Sequence, residues 1–174
     1  MSTRANLLTE SGQVMQDFMA TSVFFQEAVA RAAHLNGTDL QAVGILIREG
    51  PTTPGELARR MGVTAGGAIT LLVDRLESAG YAFRTRDQHD RRRVLVTASA
   101  DTVAANIGPL YAPVAQQWTQ YLQTLTTEQL HTCLDLLRTA VTINHDQLQL
   151  LAENAASTPA TGANADLRNQ ASRS

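Results

Sequence analysis

From Gln13 to Ala33 the apolar residues Val14, Met15, Phe18, Met19, Phe25, Val29 and Ala32 recur at three- and four-residue steps. That spacing lines one face of an amphipathic helix with aromatic and thioether side chains, and Asn36-Gly37 is read as its stop. Thr38-Asp39-Leu40-Gln41 then has the form of a capping box, its hydroxyl and amide satisfying free backbone N–H groups. The short helix it opens buries Leu40, Val43, Leu46 and Ile47 and stops at Gly50-Pro51. Thr53-Pro54-Gly55-Glu56 is a second capping box with proline at the first helical position. It predicts a brief helix with Leu57, Ala58 and Met61 inward and Gly62 at its close. Thr64 is placed to cap a further helix to about Ser78, with Ile69, Leu72, Val73 and Leu76 as its core stripe. Gly80 stands just past its end, where a left-handed residue is common.

The period then changes. Tyr81–Arg86 and Val94–Thr97 read as two short strands, joined by the charged stretch Asp87-Gln88-His89-Asp90-Arg91-Arg92-Arg93, so a hairpin with a long arginine-bearing tip is expected. Ser99 can cap a long helix through Val103, Ile107, Leu110, Val114, Trp118, Tyr121 and Leu125, which Pro109 and Pro113 should kink or break. Thr126-Thr127-Glu128-Gln129 is a third capping box and opens a last helix with Leu130, Leu134, Leu137, Val141 and Leu148 on one side. Residues 155–174 offer almost nothing to bury and are expected to form a disordered tail.

Composition narrows the class. Of 174 residues 44% are hydrophobic and 17% charged, enough to bury a core. No apolar run approaches the roughly 18–20 residues that span a bilayer. Met1–Thr9 lacks a basic segment followed by an apolar stretch, so a signal peptide is not expected and the chain is assigned to the cytoplasm. Cys133 is the single cysteine, which leaves no intrachain disulfide.

Charge changes the picture most. The net charge is −2, yet between Arg59 and Arg93 stand eight arginines and four acids, a local excess of four positive charges. Every basic residue is arginine, whose planar fork suits phosphates, guanines and narrow minor grooves. An acidic chain with a local basic segment suits a phosphate-binding patch, although a solvated arginine face would look the same on charge alone.

Three short helices followed by a two-stranded hairpin describe a winged helix-turn-helix: mainly α, with a small β-hairpin wing. In this arrangement one helix enters the major groove while the wing lays basic side chains on phosphates or in the minor groove. The stretches Thr64-Ala65-Gly66-Gly67-Ala68-Ile69-Thr70, Val73-Asp74-Arg75-Leu76-Glu77 and Gly80-Tyr81-Ala82-Phe83-Arg84 resemble the recognition helix and first wing strand of MarR-type regulators. Asp90, Arg92 and Val96 match that family's wing signature D-x-R-x-x-x-V-x-L-T, while Ala98 stands where leucine is usual and Ser99 replaces threonine. Leu125–Leu130 with Leu136-Leu137 is similar to the family's last helix.

The resemblance implies domains at 1–37 (an N-terminal dimerisation helix), 38–98 (the DNA-binding winged helix) and 99–154 (C-terminal dimerisation helices). It also implies a homodimer on a pseudo-palindromic double-stranded DNA operator, acting as a repressor that a small effector of unknown identity relieves. Carried over, Asp90 and Arg92 would shape the wing, Arg91 or Arg93 would meet the minor groove, and Arg84 and Arg86 would lie near phosphates. The DNA-facing positions of the recognition helix would be Thr64, Gly66, Gly67, Thr70, Leu71 and Asp74. None is an Arg, Asn or Gln able to make bidentate base contacts, and Leu71 stands where the family often has a polar or basic residue.

Two glycines near a helix start cost about 1 kcal/mol each against alanine. Close approach to DNA would account for Gly66-Gly67, with Thr70 and Leu71 touching thymine methyl groups; tight packing on the preceding turn would account for it too. Phe18, Phe25, Tyr111 and Trp118 are candidates for an aromatic-lined ligand pocket, a role that core packing would explain equally well. His34, His89, His131 and His145 lack metal-ligand spacing, so neither a metal nor a cofactor is expected. No nucleophile elbow, phosphate loop or acid–base pair supports an enzyme. Two alternatives remain: a winged-helix module that binds protein, and a redox-responsive regulator using Cys133.

Overall fold

A computed structural model describes residues 3–63 and 66–157. Its elements are α1 (Arg4–Ala32), α2 (Gly37–Glu49), α3 (Pro54–Arg60), α4 (Gly67–Ser78), β1 (Ala82–Arg86), β2 (Val94–Ala98), α5 (Ala100–Asn106), α6 (Gly108–Gln123) and α7 (Thr127–Ser157). They divide into two compact units, residues 1–119 and 120–174.

The first unit holds the core. The predicted stripe of α4 is fully inward: Ile69, Leu72, Val73 and Leu76 are each at most 3% exposed. They meet Leu40, Val43 and Leu46 of α2, Leu57 of α3, Val29 and Ala30 of α1, and Val96 of β2 in one cluster. Ile47, expected in the α2 stripe, is instead 46% exposed, because the helix presents Ala42 and Ile45 to the core. The buried Tyr81 hydroxyl donates to the Ala33 carbonyl at 3.1 Å and ties the end of α4 to the end of α1.

Several boundaries differ from expectation for physical reasons. α1 begins at Arg4, nine residues before the predicted start, with the Thr3 side chain accepting from the Asn6 N–H. Its first turns bury nothing within this chain, so the periodic signal there is weak. Asn36 is the cap of α2 rather than the stop of α1: its Oδ1 accepts from the Asp39 N–H at 2.8 Å, two residues ahead of the predicted Thr38 box. The Thr53 cap of α3 forms as predicted, at 3.3 Å, but the Glu56 carboxylate turns to Arg59 and Arg60. The helix after Ser99 breaks at Ile107, just ahead of Pro109, in its first part as expected. Pro109 then sits in the first turn of α6, where no N–H is needed, and Pro113 lies within the helix.

β1 and β2 pair antiparallel, with Ala82 opposite Ala98, Arg84 opposite Val96 and Arg86 opposite Val94. A β-bridge adds Thr52 to the outer edge of β2, with hydrogen bonds of 3.1 and 2.8 Å to Val96. The wing is therefore rooted through the chain entering α3.

In the second unit Thr126 and Gln129 complete their capping box in both directions, at 3.2 and 2.8 Å. α7 then runs for 31 residues to Ser157. The predicted cap Thr64 and the stretch 158–174 of the predicted tail lie outside the described residues.

Candidate nucleic-acid interface

The outward face of α4 follows from its inward one. With Ile69, Leu72, Val73 and Leu76 buried, residues 67, 70, 71 and 74 fall together on the opposite side, and all four are exposed. Leu71 is 61% exposed, an uncovered apolar side chain in the middle of this face.

The two glycines serve different needs. Gly66 adopts φ 143 and ψ −145 at the cap, a conformation essentially confined to glycine. Gly67 is helical, and a Cβ there would meet nothing within 4 Å. Among the described residues the space beside Gly67 is open.

Behind this face lies a contact that no local pattern revealed. Asp39 is 3% exposed, and its carboxylate takes a two-pronged grip from Arg75 of α4, Nε to Oδ2 at 3.0 Å and Nη2 to Oδ1 at 2.6 Å. Asn36 Nδ2 donates to the same Oδ2 at 2.9 Å. The hydrogen bond to Asp39 raises the Arg75 pKa, so the guanidinium stays charged. The start of α2 thus fixes the rotation of α4 about its own axis.

Removing Arg75 leaves a buried carboxylate short of its cation. Since Arg75 is half in solvent, the cost belongs at the low end for such pairs, about 3 kcal/mol for Arg75→Ala. Thermal unfolding should show a fall of roughly 6–12 °C. A fall below about 3 °C would mean that the pair does not hold the helices.

The wing is attached to α4 by Arg84. Its Nη2 donates to Asp74 Oδ1 at 2.7 Å, its Nη1 to Glu77 Oε2, and its backbone N–H to Glu77 Oε1 at 2.8 Å. These acids, Asp74 first, raise the Arg84 pKa. Arg84, expected near phosphates, is in this structure bound to two carboxylates.

The wing tip is held mainly by Asp87. Its Oδ1 accepts the His89 N–H at 2.8 Å and the Asp90 N–H at 3.4 Å, which with Arg93 lowers its pKa. Asp90 contributes by accepting from the Arg92 backbone N–H at 3.0 Å. Arg86 Nη1 donates to the Arg91 carbonyl at 3.0 Å, bracing the tip across its base.

The basic patch is consequently smaller than the charge count suggested. Arg59 and Arg60 pair with Glu56, Arg60 also with Glu49, and Arg75 and Arg84 pair as above, while Arg93 lies 3.9 Å from Asp87. Among the described residues no carboxylate pairs with Arg86, Arg91 or Arg92, and all three are exposed. The free positive charge of this segment is therefore concentrated on the wing.

Of the residues predicted for a ligand pocket, Phe25 and Tyr111 meet edge to face at 5.4 Å and pack against the core. Phe18 and Trp118 are 48% and 47% exposed. A cleft of about 560 Å³ opens elsewhere, lined by residues that include Glu27, Asn36, Leu71 and Arg75. Cys133 is half-buried. Among the described residues no helix is long and apolar enough to cross a membrane, and no acidic, His or Cys cluster is placed to hold a metal ion.

Residues 35–93 match the model of the MarR family. The HTH-type transcriptional regulator YcgE of Bacillus subtilis is 34% identical over 153 residues, spanning 86% of this chain and 96% of that protein. A MarR family protein from Bacillus stearothermophilus superposes with a TM-score of 0.59 at 18% identity, covering 85% of this chain and 99% of that one. YusO from Bacillus subtilis gives 0.54 at 21%, over 84% and 99% of the two chains. A mutant MarR of E. coli, solved with operator DNA, gives 0.50 at 23%, over 80% and 99%. Sequence and architecture agree: the chain belongs to the MarR family of winged helix-turn-helix transcriptional regulators.

Proposed function

We propose that this regulator represses transcription as a homodimer on a pseudo-palindromic operator, with α4 in the major groove and the wing on the flanking backbone. The supporting observation is the open face at Gly67, Thr70 and Leu71 beside a wing whose Arg86, Arg91 and Arg92 have no carboxylate partner among the described residues. With few base-reading groups on α4, affinity comes mostly from the wing, and part of the discrimination from DNA shape. Arg93, loosely held by Asp87, is available to phosphates with Arg91. The E. coli protein bound to operator DNA supports this use of the fold.

Dimerisation is supported by what each long helix leaves uncovered. On α1, Leu7, Val14 and Phe18 lie along one line and are 52%, 60% and 48% exposed. On α7, Leu134, Leu137, Val141 and Leu148 do the same at 46%, 47%, 68% and 66%. A solitary soluble chain rarely leaves such stripes in water, and a second copy would cover them. Relief of repression by a small effector belongs to the same reading, with the aromatic pair Phe25 and Tyr111 as one boundary of its site.

Gly67→Gln tests the approach of α4. In the free protein the new side chain meets open space and the helix gains up to about 1 kcal/mol, so thermal stability should hold or rise. Affinity for operator should nevertheless fall by at least about tenfold, because the side chain occupies the gap meant for the groove. Unchanged titrations with both operator and random DNA would rule out close approach.

A further inference from the structure

An acid stands on the face offered to DNA, at its C-terminal end. Asp74 lies one turn from Thr70 and two from Gly67, its side chain 51% exposed. A polyanion should repel it, and the helix gains nothing from it, since aspartate is a poor interior residue and unfavourable toward a helix C-terminus. Asp74 shares the attachment of the wing with Glu77. Glu77 alone receives both the backbone N–H and the Nη1 of Arg84, leaving Asp74 as a second carboxylate on one guanidinium. The trio carries a net charge of −1 where a binder of arbitrary DNA would carry a positive one.

We infer that Asp74 is a specificity-determining residue that rejects DNA lacking a cytosine amino group opposite it. On random sequence the carboxylate stays with Arg84, so the site keeps its negative charge and withholds a cation from phosphate. Where α4 meets a cytosine N4 amino group in the major groove, the carboxylate accepts from it, the pairing open to an acidic side chain. Arg84, still held by Glu77, then turns its freed Nη2 to the backbone. Discrimination arises by penalising wrong sequences as well as by contacting the right one. This inference rests on the DNA-binding reading above.

The test compares wild type with Asp74→Asn, each alone and on an Arg84→Gln background, against operator and random duplexes over a range of salt. Asp74→Asn should tighten random DNA by about fivefold and steepen its salt slope by about 1.8, one additional phosphate from each subunit of the dimer. Operator affinity should not improve, so the preference for operator falls by at least about fivefold. On the Arg84→Gln background the slope change should vanish. Equal thermal stability of Asp74→Asn and wild type establishes that the fold is intact, and Asp74→Ala repeats the comparison should asparagine itself read a base. An unchanged slope on random DNA, an equal slope change without Arg84, or equal tightening on operator and random DNA would each overturn the inference. Wild type that shows no salt-dependent binding or no preference for operator would instead defeat the DNA-binding reading, and this inference with it.

Discussion

Replacing Arg91 and Arg93 together with alanine is expected to weaken binding to every DNA sequence, on the order of 100-fold at low salt, and to flatten the salt dependence. The segment from Arg59 to Arg93 retains few free cations. Arg59, Arg60, Arg75 and Arg84 are all engaged by carboxylates, so they release few counterions on contact with DNA. The wing tip carries the remainder on a loop braced by Asp87, Asp90 and the Arg86–Arg91 contact. Phosphate contacts carry no sequence information, so operator and random DNA should lose affinity in parallel. Each contact removed should lower the log–log salt slope by roughly one unit, and a dimer loses contacts from both wings. Fluorescence anisotropy across a salt series checks this, and an unaltered slope would take the wing off the backbone. Both side chains are exposed, so stability should stay within about 0.5 kcal/mol of wild type.

The second large effect concerns assembly. Leu137 and Val141 occupy adjacent turns of the uncovered α7 stripe, at 47% and 68% exposure. Changing both to glutamate should leave the chain folded, since neither belongs to its core. In a dimer each copy would then bring two charges into an apolar seam and lose about 1.5–3 kcal/mol of burial per side chain. Symmetry doubles the damage, so the dimerisation constant should weaken by at least about 100-fold. Sedimentation should show a monomer, and operator affinity should fall toward that for random DNA because two half-sites are no longer engaged together. A variant that remains dimeric would show that α7 does not build the interface.

Much of the fold is legible in the sequence because its signals are local. The α4 stripe at i, i+3, i+4 and i+7, the Thr53 and Thr126 caps and the switch to a strand period after Gly80 depend on neighbours within one or two turns. Competition between local signals is harder to resolve. Asn36-x-x-Asp39 and Thr38-x-x-Gln41 both have capping form, and the first prevails because Arg75, 36 residues away, fixes the Asp39 carboxylate. The early start of α1 leaves little trace because its first turns bury nothing in the single chain, and Ser11-Gly12 weakens the helical signal there.

The candidate site divides the same way. The exposed face of α4 and the arginine wing follow from periodicity and charge. Which arginines remain free does not, because Arg75 and Arg84 find their acids across elements. A one-dimensional count treats all eight arginines as one patch, whereas the folded chain neutralises about half of it.

The most direct measurement is a titration of the full chain with DNA from upstream of its own gene, in parallel with a shuffled duplex of equal length, with complex stoichiometry from sedimentation. The account predicts two chains per site, a preference of about 1,000-fold or more over shuffled DNA at physiological salt, and a steep loss of affinity as salt rises. Equal affinity for the two duplexes, or one chain per site, would contradict it.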